Sequence, residues 1–221
     1  MQNDRTYLYG LAGDIRKIRT RRGFTLIEMA IVATIIGTIV FSVFAAASAV
    51  RYRNQVNQGL AEISIIVSNM RSLYAGQNIS TAANANTITF AKATPTLVQQ
   101  MIFPAEMLTP PLPTTGIPVA NTVANNPWAP GGSAQIQLVA ANPVQFTLRF
   151  LSIPANVCVD LIVRNSLPGA DTGLMQIKVN NKVVGITGNV VTPLPIDPNV
   201  AASTCPTGAT YTIDWYYTLG S

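Results

Sequence analysis

Glu28 is the ionisable side chain that first demands an explanation. It is the single charge in Phe24–Val50, FTLIEMAIVATIIGTIVFSVFAAASAV, a run without proline. A carboxylate at the centre of a bilayer costs about 2.5–3.5 kcal/mol on insertion scales, and less towards the interface. A plain anchor or a signal segment has no use for it; snorkelling to the membrane surface is its simplest role. The later acids are Glu62, Glu106, Asp160, Asp171, Asp197 and Asp214. No two of them make a recognisable acid–base pair or a D-x-D-x-D-G calcium loop, and there is no Gly-rich phosphate loop. Asp171-Thr172-Gly173 and Asp197-Pro198-Asn199 read as turns. The chain has no histidine, which excludes His triads, His general bases and His metal sites. Its two cysteines, Cys158 and Cys205, cannot hold structural zinc without histidine, but they can form one disulfide. No nucleophile stands beside a base. The expectation is a protein that is not an enzyme, with no cofactor and no metal.

Charge and composition narrow the class further. The 221 residues are 48% hydrophobic and only 10% charged, against about 25% charged in an average soluble domain. Mean hydropathy is +0.32, so this is not a disordered chain. The net charge of +5 is concentrated at one end. Residues 1–23 contain Arg5, Arg16, Lys17, Arg19, Arg21 and Arg22 against Asp4 and Asp14, while the rest of the chain is nearly neutral. A nucleic-acid binder would carry a basic face on its folded part; none is visible, and no such partner is expected.

The elements that must hold Glu28 are set by periodicity. A helix over residues 24–50 would span roughly 40 Å, enough to cross a hydrocarbon core of about 30 Å. Bases dominate its N-terminal flank, so residues 1–23 are expected in the cytoplasm and the bulk of the chain outside. Helical spacing continues through Ala49, Tyr52, Val56, Leu60, Ile63, Val67, Met70 and Tyr74, an apolar stripe on one face. Asn54, Gln55, Asn57, Gln58, Glu62, Ser64, Asn69 and Arg71 fill much of the remainder. One helix of roughly 75 Å is predicted, apolar all round in its first half and amphipathic over 51–75, with Gly76 as its stop. Gly37, at mid-span, suits close helix packing or a local loosening of the helix. A single-pass anchor, a secretory signal cut near Ala45–Ala49, and a twin-arginine signal are the competing readings. The apolar run ahead of those alanines is longer than a signal's core, and none of the three explains Glu28.

The stretch Arg21-Arg22-Gly23-Phe24-Thr25-Leu26-Ile27-Glu28 resembles the processing site of type IV pilins and the related pseudopilins. The resemblance implies that a membrane-embedded prepilin peptidase cuts after Gly23 and methylates the new amine on Phe24. The family glutamate at the fifth mature position matches Glu28. The 23-residue leader is long and resembles the type IVb subgroup; so do Asn126-Pro127-Trp128 and Gly131-Gly132-Ser133 ahead of a strand. The resemblance further implies a homopolymer of such subunits, a type IVb pilus for adhesion, aggregation or mating contact. The inner-membrane pilus assembly machinery would be a partner, and the membrane would hold the precursor. The free Phe24 amine would compensate the Glu28 carboxylate of a neighbour and set axial register, as a buried polar residue does in coiled coils. A type II secretion pseudopilin is the nearer rival. A secreted or anchored binding protein with a cleaved signal peptide is the more distant one.

The remainder predicts an α+β domain over residues 51–221. Residues 76–130 are rich in Asn, Thr, Ala and Pro and read as an extended variable region, with helix possible near Thr96–Met101. From residue 131 the apolar period becomes two: Ile136 and Leu138; Phe146, Leu148 and Phe150; Met175, Ile177 and Val179; Tyr211, Ile213, Trp215 and Tyr217. Four strands then form an antiparallel sheet with one apolar face, covered by the stripe of the long helix. A short helix fits Asn156–Arg164. An oxidising compartment favours a Cys158–Cys205 disulfide, tying that helix to the start of the last strand and contributing about 4 kcal/mol at most on the chain-entropy model. The resemblance to type IV pilins agrees. Two free buried thiols are the alternative.

Overall fold

The computed structural model describes residues 25–74, 98, 100–111, 121–139, 145–167, 173–188 and 193–219. Gly23, Phe24, Gly76 and half of Thr96–Met101 lie outside that set, as do Asp171 and Thr172 of the first turn read from the sequence. The chain forms two compact units, residues 1–47 and 48–221. Helix α1, Leu26–Tyr74, has its first part in one and its second part in the other.

The first part of α1 contains no proline and a single glycine, Gly37. Its large apolar side chains point out all round, from Leu26 at 89% exposed to Phe44 at 71%. Its hydroxyls need nothing from their surroundings. Thr34 donates to Ala30 O at 2.8 Å, Thr38 to Ile35 O at 2.8 Å and Ser42 to Ile39 O at 2.7 Å. Such back-bonding is how a polar side chain is tolerated where water is absent.

The second part of α1 is amphipathic as expected, with two corrections. Val56, Gly59, Ile63, Ile66, Val67 and Met70 are buried at helical spacing, with Tyr52, Leu60 and Tyr74 packed at the margin. Ala49 is exposed rather than part of the stripe, and Glu62 is buried rather than on the polar face. Gly59 is there to make room: a Cβ added to it would collide with Cη2 of the Trp128 indole. Polar contacts fix the same helix along its length. Tyr52 Oη donates to Asp160 Oδ2 at 2.7 Å, Asn69 Nδ2 to Ile102 O at 2.9 Å and Tyr74 Oη to Gln100 Oε1 at 3.1 Å. Burial, and then the Asp160 carboxylate, hold the Tyr52 hydroxyl well above its ordinary pKa.

Between helix and sheet the chain makes a 3-10 turn, Ala105–Met107, then β1 (Leu108–Thr109) paired antiparallel with β2 (Val123–Ala124). Ile102, Phe103, Met107, Leu108 and Ala124 are buried in the common core, so this part of the region read as extended is fastened to the domain. The main sheet has five strands, not four. They are β3 (Ala134–Val139), β4 (Gln145–Pro154), β5 (Leu174–Val179), β6 (Lys182–Ile186) and β7 (Thr210–Thr218). Their order is β3-β4-β7-β5-β6 and every pairing is antiparallel. The additional edge strand, β6, has five residues, one of them Gly185, and no clean alternation. Its hairpin turn, Asn180-Asn181, takes φ of 47° and 66°, a conformation asparagine tolerates better than most residues. In β5 the pairing register shifts between Leu174 and Gln176. Leu174 therefore joins the core and Met175, expected inward, is half-exposed.

Phe146, Leu148, Phe150, Ile177, Ile213, Trp215 and Tyr217 line the core face. Phe150 meets Trp215 edge-on and Phe146 stacks on Tyr217, both with centroids 5.4 Å apart. The opposite face carries a bidentate pair between directly facing residues: Arg149 Nε to Asp214 Oδ1 at 2.6 Å and Nη2 to Oδ2 at 2.7 Å. Helix α2 (Ala155–Asn165) packs on β4 and β7 close to where Asn156–Arg164 predicts it. Helix α3 (Pro198–Thr204) begins where the sequence reads as a turn. Asp197 is its N-cap, accepting from Asn199 N at 2.7 Å, and Pro198 is its first residue, the arrangement that starts helices.

The notch at Gly59 generates a prediction. Gly59→Ala gains about 1 kcal/mol of helix propensity but drives a methyl into a seated indole, which costs about 1–3 kcal/mol. Because Trp128 is anchored through its backbone, the clash dominates. Urea unfolding of the full chain in detergent is expected to show a net loss of stability.

Candidate assembly site

The first turn of α1 places Glu28 by ordinary capping chemistry. Thr25 Oγ1 accepts from Glu28 N at 3.3 Å and Thr25 O accepts from Met29 N at 3.1 Å. Thr25 is thus the cap, and Glu28 is the third helical residue, the spacing of a capping box. That pattern, Thr-x-x-Glu before an apolar run, is present in the sequence, where the threonine reads as part of the run. Acidic charge at this end also suits the helix dipole. Glu28 is exposed, as are Leu26, Ile27, Met29, Ile31 and Val32 around it. Among the described residues no base lies within ion-pair distance of its carboxylate. The site is therefore an acid at the head of an apolar rod. An 18-residue window of this helix has a mean hydropathy of 2.4 and none of it is buried. Such a surface is covered either by lipid or by other helices like it.

The two cysteines are bonded to each other, with S–S of 2.04 Å and Cα atoms 6.1 Å apart. The bridge joins α2 to the residue that ends α3, not to the start of the last strand as the sequence suggests, because α3 intervenes. The segment Asn125–Ser133 is organised chiefly around the Asn126 side chain. Asn126 Oδ1 accepts from Trp128 N at 3.0 Å and Ala129 N at 2.9 Å, and its Nδ2 donates to Leu151 O at 2.8 Å. Asn126 N donates to Ser133 Oγ at 2.8 Å. The Asn-Pro-Trp sequence is thus a bracket between β4 and the Gly59 notch of α1. From the sequence it stands out only through its resemblance to the type IVb subgroup.

A single helix that is apolar all round and then one-sided, with its second part packed on a disulfide-bearing antiparallel sheet, defines the type IV pilin class. The family model for the prokaryotic N-terminal methylation motif matches residues 18–48. The model described as Bundlin matches residues 46–218, most of the chain. The chain belongs to the bundlin family: it is a type IVb pilin, a structural subunit of a pilus. The comparison with curated proteins gives no match. Among solved structures, a crystal structure of a type IVb pilin from Salmonella typhi is similar at 19% identity, covering 73% of this chain and 99% of that one, with a TM-score of 0.48. An NMR structure of the type IVb pilin PilS from Salmonella typhi is similar at 16% identity, covering 73% and 95%, with a TM-score of 0.43.

The cap has a measurable consequence. Thr25→Ala removes the acceptor for the Glu28 amide, a loss of about 1 kcal/mol at the helix start. Hydrogen exchange at that amide is expected to quicken roughly fivefold, while Thr25→Ser leaves it near the wild-type rate. Equal rates in Thr25→Ala and wild type would refute the cap.

Proposed function

We propose that this pilin is built as a precursor whose residues 1–23 are a leader, removed by a prepilin peptidase that cuts between Gly23 and Phe24 and methylates Phe24. The leader's bases keep that end in the cytoplasm while residues 24–50 cross the inner membrane and residues 51–221 stand outside. Cutting creates an ammonium on Phe24, four residues from Glu28. In the growing homopolymer the Phe24 amine of an incoming subunit pairs with Glu28 of its neighbour. The assembly machinery of the inner membrane then moves the chain from lipid into an extracellular fibre. Adhesion, aggregation or mating contact is the work of the outward surface of that fibre.

The observation that carries this reading is the capped, exposed Glu28 at the head of an uncovered apolar helix. An isolated ionised carboxylate in a water-free bundle is expensive, and an ammonium at the right distance offsets much of that cost. Before cutting there is no such ammonium, so the leader doubles as a lock on polymerisation.

Terminal sequencing of protein recovered from cells is expected to begin at methylated Phe24. A first residue at Ser48 or Val50 would mean a cleaved signal peptide instead. Glu28→Ala is expected to be cut normally yet give few fibres in sheared surface material viewed by electron microscopy. Abundant normal fibres from that variant would refute the pairing role.

A further inference from the structure

Glu62 takes no part in the assembly site, yet it is a carboxylate only 2% exposed. One of its oxygens accepts from Gln58 Nε2 at 2.8 Å; the other is buried without a hydrogen-bond partner. One helical turn earlier on the same face lies Gly59, covered by the Trp128 indole. Trp128 Nε1 is buried and unpartnered as well. The indole is held from behind by Asn126, which is bonded to Leu151 of β4. A buried acid and, one helical turn away, an indole seated on Gly59 thus lie on the same buried face of α1, each one hydrogen bond short.

Among the described residues no cation stands against the acid. Residues 58–66 of α1 and residues 125–133 of the bracket contain no Lys or Arg. From the 3-10 turn Ala105–Met107 comes Glu106, a charge of the same sign. A neutral carboxyl fits such a site; an ionised one does not.

We propose that Glu62 is a proton-operated latch: as the neutral acid it lets the Trp128 bracket seat on α1, and when it loses its proton that seat loosens. Burial raises this carboxyl from 4.5 to about 7, with the Gln58 hydrogen bond opposing the shift and Glu106 reinforcing it. The pH effect has a definite sign. Below about 4.5 the group is neutral in both folded and unfolded chains and contributes no pH dependence. Between about 4.5 and 7 the unfolded chain has released the proton and the folded chain still holds it. Stability therefore falls as pH rises through that interval, and stays at the lower level above it. The join between helix and sheet is firmest in acid. The latch is independent of where the precursor is cut.

The test uses the full-length chain in detergent at low salt, with tryptophan emission and the urea midpoint measured from pH 4 to 9. Wild type is expected to lose urea resistance across the interval and to change its emission with a midpoint near 7. Glu62→Gln should be flat in both readouts. Trp128→Phe should lose the emission change, which assigns it to that indole rather than to Trp215. Glu106→Gln should move the midpoint to lower pH. A Glu62→Gln chain that keeps the wild-type pH dependence overturns the proposal, as does an emission change that survives in Trp128→Phe. Should Glu62→Gln fail to fold, Glu106→Gln decides: an unmoved midpoint overturns the latch and a lowered one supports it.

Discussion

An apolar helix open on every side cannot persist in water, and that constraint governs the rest of the molecule. Twelve large apolar side chains between Leu26 and Phe44 are each more than 40% exposed. At about 1.5–3 kcal/mol for each side chain fully buried, the cover they demand amounts to tens of kcal/mol. Lipid supplies it, and so does a bundle of identical helices. Lipid tails are about as apolar as leucine, so the hydrophobic effect scarcely distinguishes the two. What distinguishes them must be polar. In this half of the helix the hydroxyls of Thr34, Thr38 and Ser42 are satisfied by their own backbone. Glu28 remains as the one charged side chain on this half of the helix, and it is there that the proposed pairing acts.

The second half of the helix meets the opposite requirement. It must be committed to one partner, the sheet, and its commitment is specified at single residues. Gly59 admits one indole and would admit no methyl beside it. Tyr52 ties α1 to α2, and Asn69 and Tyr74 tie it to the segment ahead of β1. On the sheet's far face Arg149 and Asp214 face each other across β4 and β7. The disulfide links α2 to α3 rather than to the sheet, so it staples two helices that share a small interface. The second half of α1 is thus fixed to its own domain by packing and by polar contacts.

The long helix and four of the strands are legible in the sequence because their periods are long and regular. The cysteine pairing is legible because two cysteines allow a single bridge. What the sequence hides is decided by short or tertiary effects. Strand β6 is brief, contains Gly185 and borders an asparagine turn whose φ is positive. Helix α3 is one Asp-Pro-Asn start and two turns, and the same residues serve as a plain turn elsewhere. Met175 and Leu174 exchange places because a bulge in β5 shifts the alternation. Glu62 looks like surface because it is charged and lies off the apolar stripe, and its burial is settled by what packs on α1 from far along the chain. At the assembly site Glu28 stands out at once, as a lone charge in an apolar run. Thr25 is quieter, because a threonine beside so long an apolar stretch reads as part of it.

The central claim is that the acid at the head of the helix is neutralised by a terminal ammonium of another subunit. A density map of the assembled fibre at side-chain resolution tests it most directly. The account predicts the Phe24 nitrogen of one subunit within about 4 Å of the Glu28 carboxylate of the next. Glu28 turned to solvent, or paired with an arginine side chain, would contradict it.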